Sequence, residues 1–510
     1  MNKKTDGLNN VQEGILKAST IYDILVVLYV GVDTIDSPKY IRNYSESKAN
    51  NSDIEDYIKI GQLIDELLNL GVSFELFKRN LKFTLEQSSD FRNICIDILI
   101  QFDQILAERD EYLLLKQNKK MGLNKLYLKG PLNQEDSEYG LYLMPEEGIA
   151  DMSPVLRNNR IRCFVDESKV NSLLQNYTIV RKRGGEPDIF IKAYNNSEFE
   201  HWFCRKNQEI KIAVIPFYNS KWFKENHECY EERNYFTIEE DTVFTDEINR
   251  AYIQILEEMD SCDVDIVVFP ELAMAGSTKR TIQQWLAEQC LKNGDFNIKL
   301  VFMGSYWNYD ERSNCCTLLS ATGVPLVENH KKIGFNLKEG GIKYYEDLQQ
   351  RPEKLELIDV RGLGRILYFI CRDALEEVDQ AFLQNEYFVN IEVISCYSVS
   401  LSYFESAMQR FAQAHNGISV VGNCCEARKE NKKMGFIAIP GTNMNSGNNN
   451  VEGLIYYYDN NNSCENCRIG KCQCVYTLYP MAEHENNGYK TIRVIKDWIY
   501  SHRLDIRRRF

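Results

Sequence analysis

The chain has 510 residues, 44% hydrophobic and 26% charged, so it is globular and too long for one ordinary core; two or more domains are expected. Sixty basic against 74 acidic side chains give a net charge of -14, which disfavours a general nucleic-acid or anionic-membrane binder. The longest apolar run, Ile24 to Val32, falls well short of the roughly twenty residues a membrane helix needs, and Met1-Asn2-Lys3-Lys4 leads into no secretory signal, so no membrane partner and a cytoplasmic location are expected.

Residues 11 to about 117 read as helical. Phe91, Ile94, Ile98, Phe102, Ile105 and Leu106 recur at three- and four-residue intervals behind a Ser88-Ser89-Asp90 start signal, and Tyr57, Ile60, Ile64, Leu67 and Leu68 repeat the pattern. These stripes predict the core of a helical N-terminal domain over residues 1–120. Over 121–205 the pattern changes to short β-rich pieces, Tyr177 to Val180 and Asp188 to Lys192, broken by Gly184-Gly185 and Asn195-Asn196. This reads as a connector or small α/β subdomain.

Over residues 206–510 an alternating α/β rhythm sets in. Strands are predicted at Ile210 to Pro216, ahead of Glu271, and at Ile298 to Gly304, Arg365 to Cys371, Ile391 to Ser395 and Gly417 to Gly422. Helices fit at Ile248, Tyr252, Ile255, Leu256 and Met259, near 279–292 and at 401–415. Asn443 to Asn450 is low-complexity and reads as a loop. The fold class predicted is α/β, a sandwich preceded by a mainly helical domain.

Three segments carry chemistry. Asp263 to Gly276 drives an apolar strand into Pro270-Glu271, Asn329 to Gly340 offers Lys331 and Glu339, and Gly364 to Asp373 ends an apolar run on Cys371. Amides and nitriles are poor electrophiles, and a thiolate is the best nucleophile a side chain supplies near neutral pH. The Cys371 thiol must lose its proton to a positioned base and the departing nitrogen must gain one; Glu271 can do both in turn. Lys331, assisted by the backbone N–H of Arg372, would stabilise the tetrahedral oxyanion.

In this order and context the segments resemble the nitrilase, or carbon-nitrogen hydrolase, superfamily. Phe269 to Gly276 follows the family's Pro-Glu-Leu segment, Gly323, His330 and Lys331 match its lysine segment and select Lys331 over Lys332, and Gly364 to Asp373 matches its nucleophile strand. The resemblance covers roughly residues 208 to 510. It implies a nitrilase-like α-β-β-α sandwich over 206–510, a Glu271-Lys331-Cys371 triad, and Glu339 as the second glutamate that positions substrate and lysine in amidase-like members. It also implies Asp373 holding the elbow, homo-oligomers, and cleavage of a non-peptide carbon-nitrogen bond through a cysteine thioester with no cofactor for catalysis. Arg372 stands where the family commonly has an aromatic residue and Leu375 where it often has arginine, which leaves the substrate class open; Gly435 to Pro440 blurs a later Gly-Xaa-Ser segment, a departure that bears on the pocket's far wall and not on the triad. Arg372, Tyr397 and Tyr403 are candidate substrate contacts.

Sixteen cysteines with no export signal read as thiols, metal ligands or a nucleophile rather than a disulfide framework. Cys464, Cys467, Cys472 and Cys474 could wrap one structural zinc, although the final Cys-Gln-Cys is tight; a reduced-thiol loop or labile disulfide are the other readings. The Cys315-Cys316 and Cys424-Cys425 pairs suit core packing, since neighbours on a strand point to opposite faces. His415, at a helix end, reads as a partner of terminal carbonyls.

The expected partners are a small-molecule amide or nitrile, a second copy of the chain, and an unknown protein partner of residues 1 to about 205, which regulate or assemble. Two other functions remain open. One is an acyltransferase that hands the same thioester to another nucleophile. The other is a non-catalytic nitrilase-like sensor or assembly protein, as in bacterial defence.

Overall fold

The computed structural model describes residues 2–33, 41, 44, 61–64, 72–88, 90–104, 131–133, 137–144, 170–174, 176–184, 186–194, 209–230, 232–292, 296–348, 352–360, 362–376, 383–427, 433–445, 451–459 and 473–499. The chain divides into two compact units, Met1–Pro145 with Phe164–Glu186, and Glu146–Cys163 with Pro187–Phe510.

In the first unit, α1 (Asn2–Lys17), α2 (Ile21–Val32), α3 (Phe74–Gln87) and helical residues 91–104 accompany an antiparallel pair, β1 (Tyr139–Leu143) and β2 (Tyr177–Arg181). The apolar run at Ile24 to Val32 is helical because Thr20 and Asp23 form a capping box that satisfies the first turn's amides. Asp90 starts the 91–104 helix by accepting from the Arg92 N–H at 3.3 Å. Phe91, Ile94, Ile98 and Phe102 then enter one core with Ile64, Phe77, Leu81, Tyr177 and Ile179. Tyr57, Ile60, Leu67, Leu68, Ile105 and Leu106 lie outside the described residues. No helix among the described residues is long and apolar enough to cross a membrane.

The second unit carries β3 (Asp188–Tyr194), β4 (Ile210–Val214), β5 (Phe223–Tyr230), β6 (Arg233–Glu240), β7 (Ile266–Val268), β8 (Leu300–Asn308), β9 (Ser313–Ser320), β10 (Pro325–His330), β11 (Asn336–Glu339), β12 (Ile342–Glu346), β13 (Lys354–Val360), β14 (Gly364–Ile370), β15 (Ile391–Cys396), β16 (Ile418–Asn423), β17 (Lys433–Asn443), β18 (Val451–Asp459), β19 (Gln473–Asn486) and β20 (Tyr489–Ile499). Its helices are α4 (Thr245–Ser261), α5 (Gly276–Lys292) and α6 (Ser402–His415).

Among the described residues one continuous 14-stranded sheet runs β10-β9-β8-β7-β4-β19-β20-β17-β16-β15-β14-β13-β3, with β18 beside β17. It folds back on itself, so that β9 packs on β14, β8 on β15 and β10 on β13. Helices α4 and α5 bury Ile248, Tyr252, Ile255, Ile282 and Leu286 against the layer that contains β7 and β8, while α6 packs on β16, β17 and β18. The result is the α-β-β-α sandwich expected from the sequence. Two parallel triplets, β4-β7-β8 and β14-β15-β16, form its centre and are buried on both faces, which is why they read as near-continuous apolar runs.

The structure redraws the boundary expected at residue 206. Asp188 to Lys192, grouped by sequence with the connector, pairs in parallel with β13 from Lys354↔Asp188 to Val360↔Tyr194, whereas Tyr177 to Val180 belongs to the first unit. The choice of partner is made by residues over 160 positions away, which local pattern does not encode. Strands β5 and β6 pair with β11 and β12 in a separate four-stranded sheet. This sheet was not foreseen, because β5 reads Phe-Lys-Glu-Asn-His-Glu-Cys-Tyr and is largely exposed.

Buried polar groups lock the layers together at the ends of β7, β10 and β14. The Tyr368 hydroxyl donates to the Gly304 carbonyl at 3.0 Å, the Ser395 hydroxyl donates to the Phe269 carbonyl at 2.7 Å, and the two hydroxyl oxygens lie 2.9 Å apart. Asn329 donates to the Glu356 and Tyr368 carbonyls at 3.0 and 3.1 Å and accepts from the Glu356 N–H at 2.8 Å. Gly304 has a φ of +75° and an added Cβ would collide with the Pro270 carbonyl oxygen, so glycine lets β8 run directly beneath the segment that carries Glu271. Tyr368→Phe keeps the ring but removes the hydroxyl, and is expected to destabilise the fold by about 1–3 kcal/mol. A urea midpoint that falls with an unchanged slope would match this; an unchanged midpoint would contradict it.

Candidate active site

Strand β14 is buried throughout and delivers Cys371 at its end. Cys371 has a φ of +47°, left-handed and strained for a residue with a Cβ, at the start of the single turn Cys371–Leu375. Such an elbow aims the thiol away from the strand axis. Asp373 holds it: its carboxylate accepts from the Lys332 and Ile333 N–H groups at 3.0 and 2.8 Å, tying the elbow to the segment that carries Lys331. Desolvation pushes the Asp373 carboxyl up to about 7 against the pull of those two amides and of Lys331.

Glu271 follows β7 and Lys331 follows β10, so three strand ends converge. The Lys331 Nζ lies 2.6 Å from Glu271 Oε1 and 2.5 Å from Glu346 Oε2, and all three side chains are 2% exposed or less. Asn314 Nδ2 donates to Glu346 Oε1 at 2.9 Å and to Glu271 Oε1 at 3.3 Å; the Tyr397 N–H donates to Glu271 Oε2 at 2.8 Å and the Phe335 N–H to Glu346 Oε2 at 2.8 Å. The Cys371 thiol makes a minor contribution that favours the ionised form of Glu271.

Electrostatics follow from this packing. Desolvation, opposed by Lys331 and reinforced by Glu346, holds the Glu271 carboxyl above the ordinary carboxylate value. Desolvation also works to neutralise Lys331, but Glu271 and Glu346 outweigh it and raise the ammonium well above its usual value. The site therefore keeps a buried cation beside a carboxylate whose ionised form burial disfavours.

Glu339 is not part of it. The expectation that it supports Lys331 is overturned, because β11 carries it outward to the hairpin turn at Gly340-Gly341, where its side chain is 66% exposed and lies near His227. The returning strand β12 brings Glu346 back to Lys331 instead. Glu346 and Asn314 were both missed. The turn signal Gly340-Gly341 followed by Tyr344-Tyr345-Glu346 could have exposed the first, since a hairpin returns its last residue to the level of its first.

A cavity of about 310 Å³ opens over Glu271, Lys331 and Glu346, while Cys371 is buried and not on its lining. Tyr218, Phe223, Phe236, Phe335, Leu337 and Tyr397 form its walls, with Glu225 also on the lining. Of the three residues expected to contact substrate, Tyr397 lines the cavity, its ring edge-on to Tyr218 at 5.4 Å. The other two expected contacts are corrected. The Arg372 side chain is exposed and reaches the Gly334 carbonyl at 3.4 Å, and Tyr403 is 75% exposed on α6; neither lines the cavity, because the elbow turn and the helix face direct both outward. His415 is buried at the end of α6, where burial lowers its imidazole to about 4. Of the four clustered cysteines, Cys464, Cys467 and Cys472 lie outside the described residues, and Cys474 is buried in β19 opposite Val214.

Solved structures resemble part of the chain. Saccharomyces cerevisiae Nit3, a member of branch 10 of the nitrilase superfamily, is 12% identical over 49% of this chain and 90% of its own, with a TM-score of 0.29. An amidase from Nesterenkonia sp. is 10% identical over 50% of this chain and 92% of its own, TM-score 0.32. The likeness is to nitrilase-superfamily structures. A glutamine-dependent NAD+ synthetase from Acinetobacter baumannii also aligns, 13% identical over 56% of this chain and 47% of its own, TM-score 0.32. No protein-family model and no curated protein matches the chain.

The exchange of Glu346 for Glu339 gives a direct test. Glu346→Gln removes one of the two charges that hold Lys331 and is expected to cut initial rates about a hundredfold on the fastest amide substrate. Glu339→Gln should leave them within about twofold, as for other exposed positions. Equal losses would return Glu339 to the site.

Proposed function

We propose that the protein is a thiol amidohydrolase that cleaves a non-peptide carbon-nitrogen bond through a thioester on Cys371. The observation that carries this reading is Lys331, buried between two carboxylates, with the strained Cys371 elbow tied through Asp373 to the segment that carries the lysine. Glu271 takes the thiol proton as Cys371 Sγ bonds to the carbonyl carbon. The developing oxyanion is met by the Lys331 ammonium and the backbone N–H of Arg372. Glu271 then gives its proton to the departing nitrogen, the carbon-nitrogen bond breaks, and the amine or ammonia leaves. A water deprotonated by Glu271 attacks the thioester, and Cys371 leaves with the proton.

Glu346 neutralises and orients the lysine without touching the reacting atoms. The nucleophile, base and cation all come from side chains, so the reaction needs no organic cofactor. Aromatic cavity walls favour an amide or nitrile whose acyl part is apolar and compact enough for about 310 Å³. Every group used lies between Tyr218 and Tyr397, so in this reading the N-terminal unit serves assembly or regulation and contributes no chemistry.

Two results are expected together from hydrolysis assays on a panel of small amides. Cys371→Ala abolishes turnover while the circular dichroism spectrum is unchanged. In the wild type, kcat/KM falls as pH drops through the raised Glu271 value, because only the ionised carboxylate accepts the thiol proton, so the acidic limb lies above the ordinary glutamate range. A Cys371→Ala protein that retains wild-type turnover, or an acidic limb at or below that range, would overturn the assignment.

A further inference from the structure

On the other side of the hairpin that carries Lys331, three side chains of different chemistry meet. Cys315 and His330 are register partners across β9 and β10, and Glu311 lies in the turn that enters β9. His330 Nδ1 is 3.4 Å from Cys315 Sγ and 3.6 Å from Glu311 Oε2, and one donor atom from each residue lies within 4.8 Å of the others. Ser313 Oγ sits 3.1 Å from both Cys315 Sγ and His330 Nδ1.

The two separations that involve His330 are close to those of ligands on one tetrahedral ion. Zinc-sulfur and zinc-nitrogen bonds of about 2.3 and 2.0–2.1 Å at a tetrahedral angle place sulfur and nitrogen about 3.6 Å apart, and nitrogen and a carboxylate oxygen about 3.4 Å apart. The observed pairs fall within about 0.2 Å of both. A thiolate, an imidazole and a carboxylate together favour a borderline-soft d-block cation over magnesium or calcium. The nearby charges do not block it: Arg312 is engaged by Asp347 and Glu228, and Lys279 by Glu328. Cys315 is buried, but Glu311 and His330 are 48% and 21% exposed, which gives an ion a route in.

We propose that Glu311, Cys315 and His330 bind one zinc-class divalent cation, with the fourth position filled by the Ser313 hydroxyl or water. The ion replaces the Cys315 thiol proton, which is released to solvent as the metal-sulfur bond forms. Its place in the fold gives it a role. Asn314 and Lys331 are the chain neighbours of Cys315 and His330, and they turn to the opposite side, onto Glu271 and Glu346; the Lys331 N–H also donates to the Asn314 carbonyl at 2.8 Å. An ion there staples the two residues that fix the carboxylates.

The test is cobalt(II) titration of the full chain carrying Cys371→Ala, Cys464→Ser, Cys467→Ser and Cys472→Ser, which removes the nucleophile and three of the four clustered thiols. A thiolate-to-cobalt charge-transfer band should appear, saturate with one ion per chain and vanish on adding zinc. Cys315→Ser or His330→Asn should remove the band. Glu311→Gln, at a half-exposed position that cannot unfold the core, should raise the apparent Kd at least about tenfold. No band in the starting protein, a band that survives Cys315→Ser, or an unchanged Kd in Glu311→Gln would each overturn the proposal.

Discussion

The structure depends on one buried ammonium. Lys331 is 1% exposed, and a lone cation in such a place would cost several kcal/mol of lost hydration. Two carboxylates offset that cost, but they are themselves buried and leave an excess of negative charge that must be satisfied in turn. Asn314, the Phe335 N–H and the Tyr397 N–H supply the remaining hydrogen bonds. Each comes from a different segment, so the polar cluster fixes the β9–β10 hairpin, the entry to β11 and the end of β15 at once. Removing either carboxylate would leave the lysine partly unpaired in a low-dielectric setting, and so the cluster is a constraint on the whole site.

Around that cluster the sandwich acts as a clamp. Glu271, Lys331 and Cys371 are separated by 60 and 40 positions in the chain, yet each stands just past the end of a strand whose neighbours are pinned across the layers. Ser395 fixes Phe269, Asn329 fixes Tyr368, and Asp373 fixes the amides after Lys331. The four-stranded sheet then closes aromatic side chains over the cavity. Fixed charges in a site from which water is partly excluded act more strongly on a developing oxyanion than they would in solvent.

Much of the sandwich was legible because its central strands are buried on both faces and therefore apolar without interruption, as in Ile391 to Ser395. The strand-end positions of Glu271, Lys331 and Cys371 followed from motif order. What failed had a common cause: it depended on pairing between distant segments. Glu339 and Glu346 are equally plausible by composition, and only the β11–β12 hairpin decides between them. Strand β3 carries no mark that assigns it to β13. Strand β5 is polar on both faces, so nothing in its pattern announces a strand. His330 has no ligand spacing along the chain, because its neighbour Cys315 is reached across a hairpin.

The claim at the centre of this account is that Cys371 forms a covalent acyl-enzyme. Acid quenching during turnover of a panel of small amides, followed by intact-mass spectrometry and peptide mapping, addresses it most directly. The account predicts a mass increase equal to the acyl group, removed by hydroxylamine and mapped to the peptide that contains Cys371. Product formation with no adduct at any time, or an adduct confined to another thiol such as the neighbouring Cys396, would contradict it.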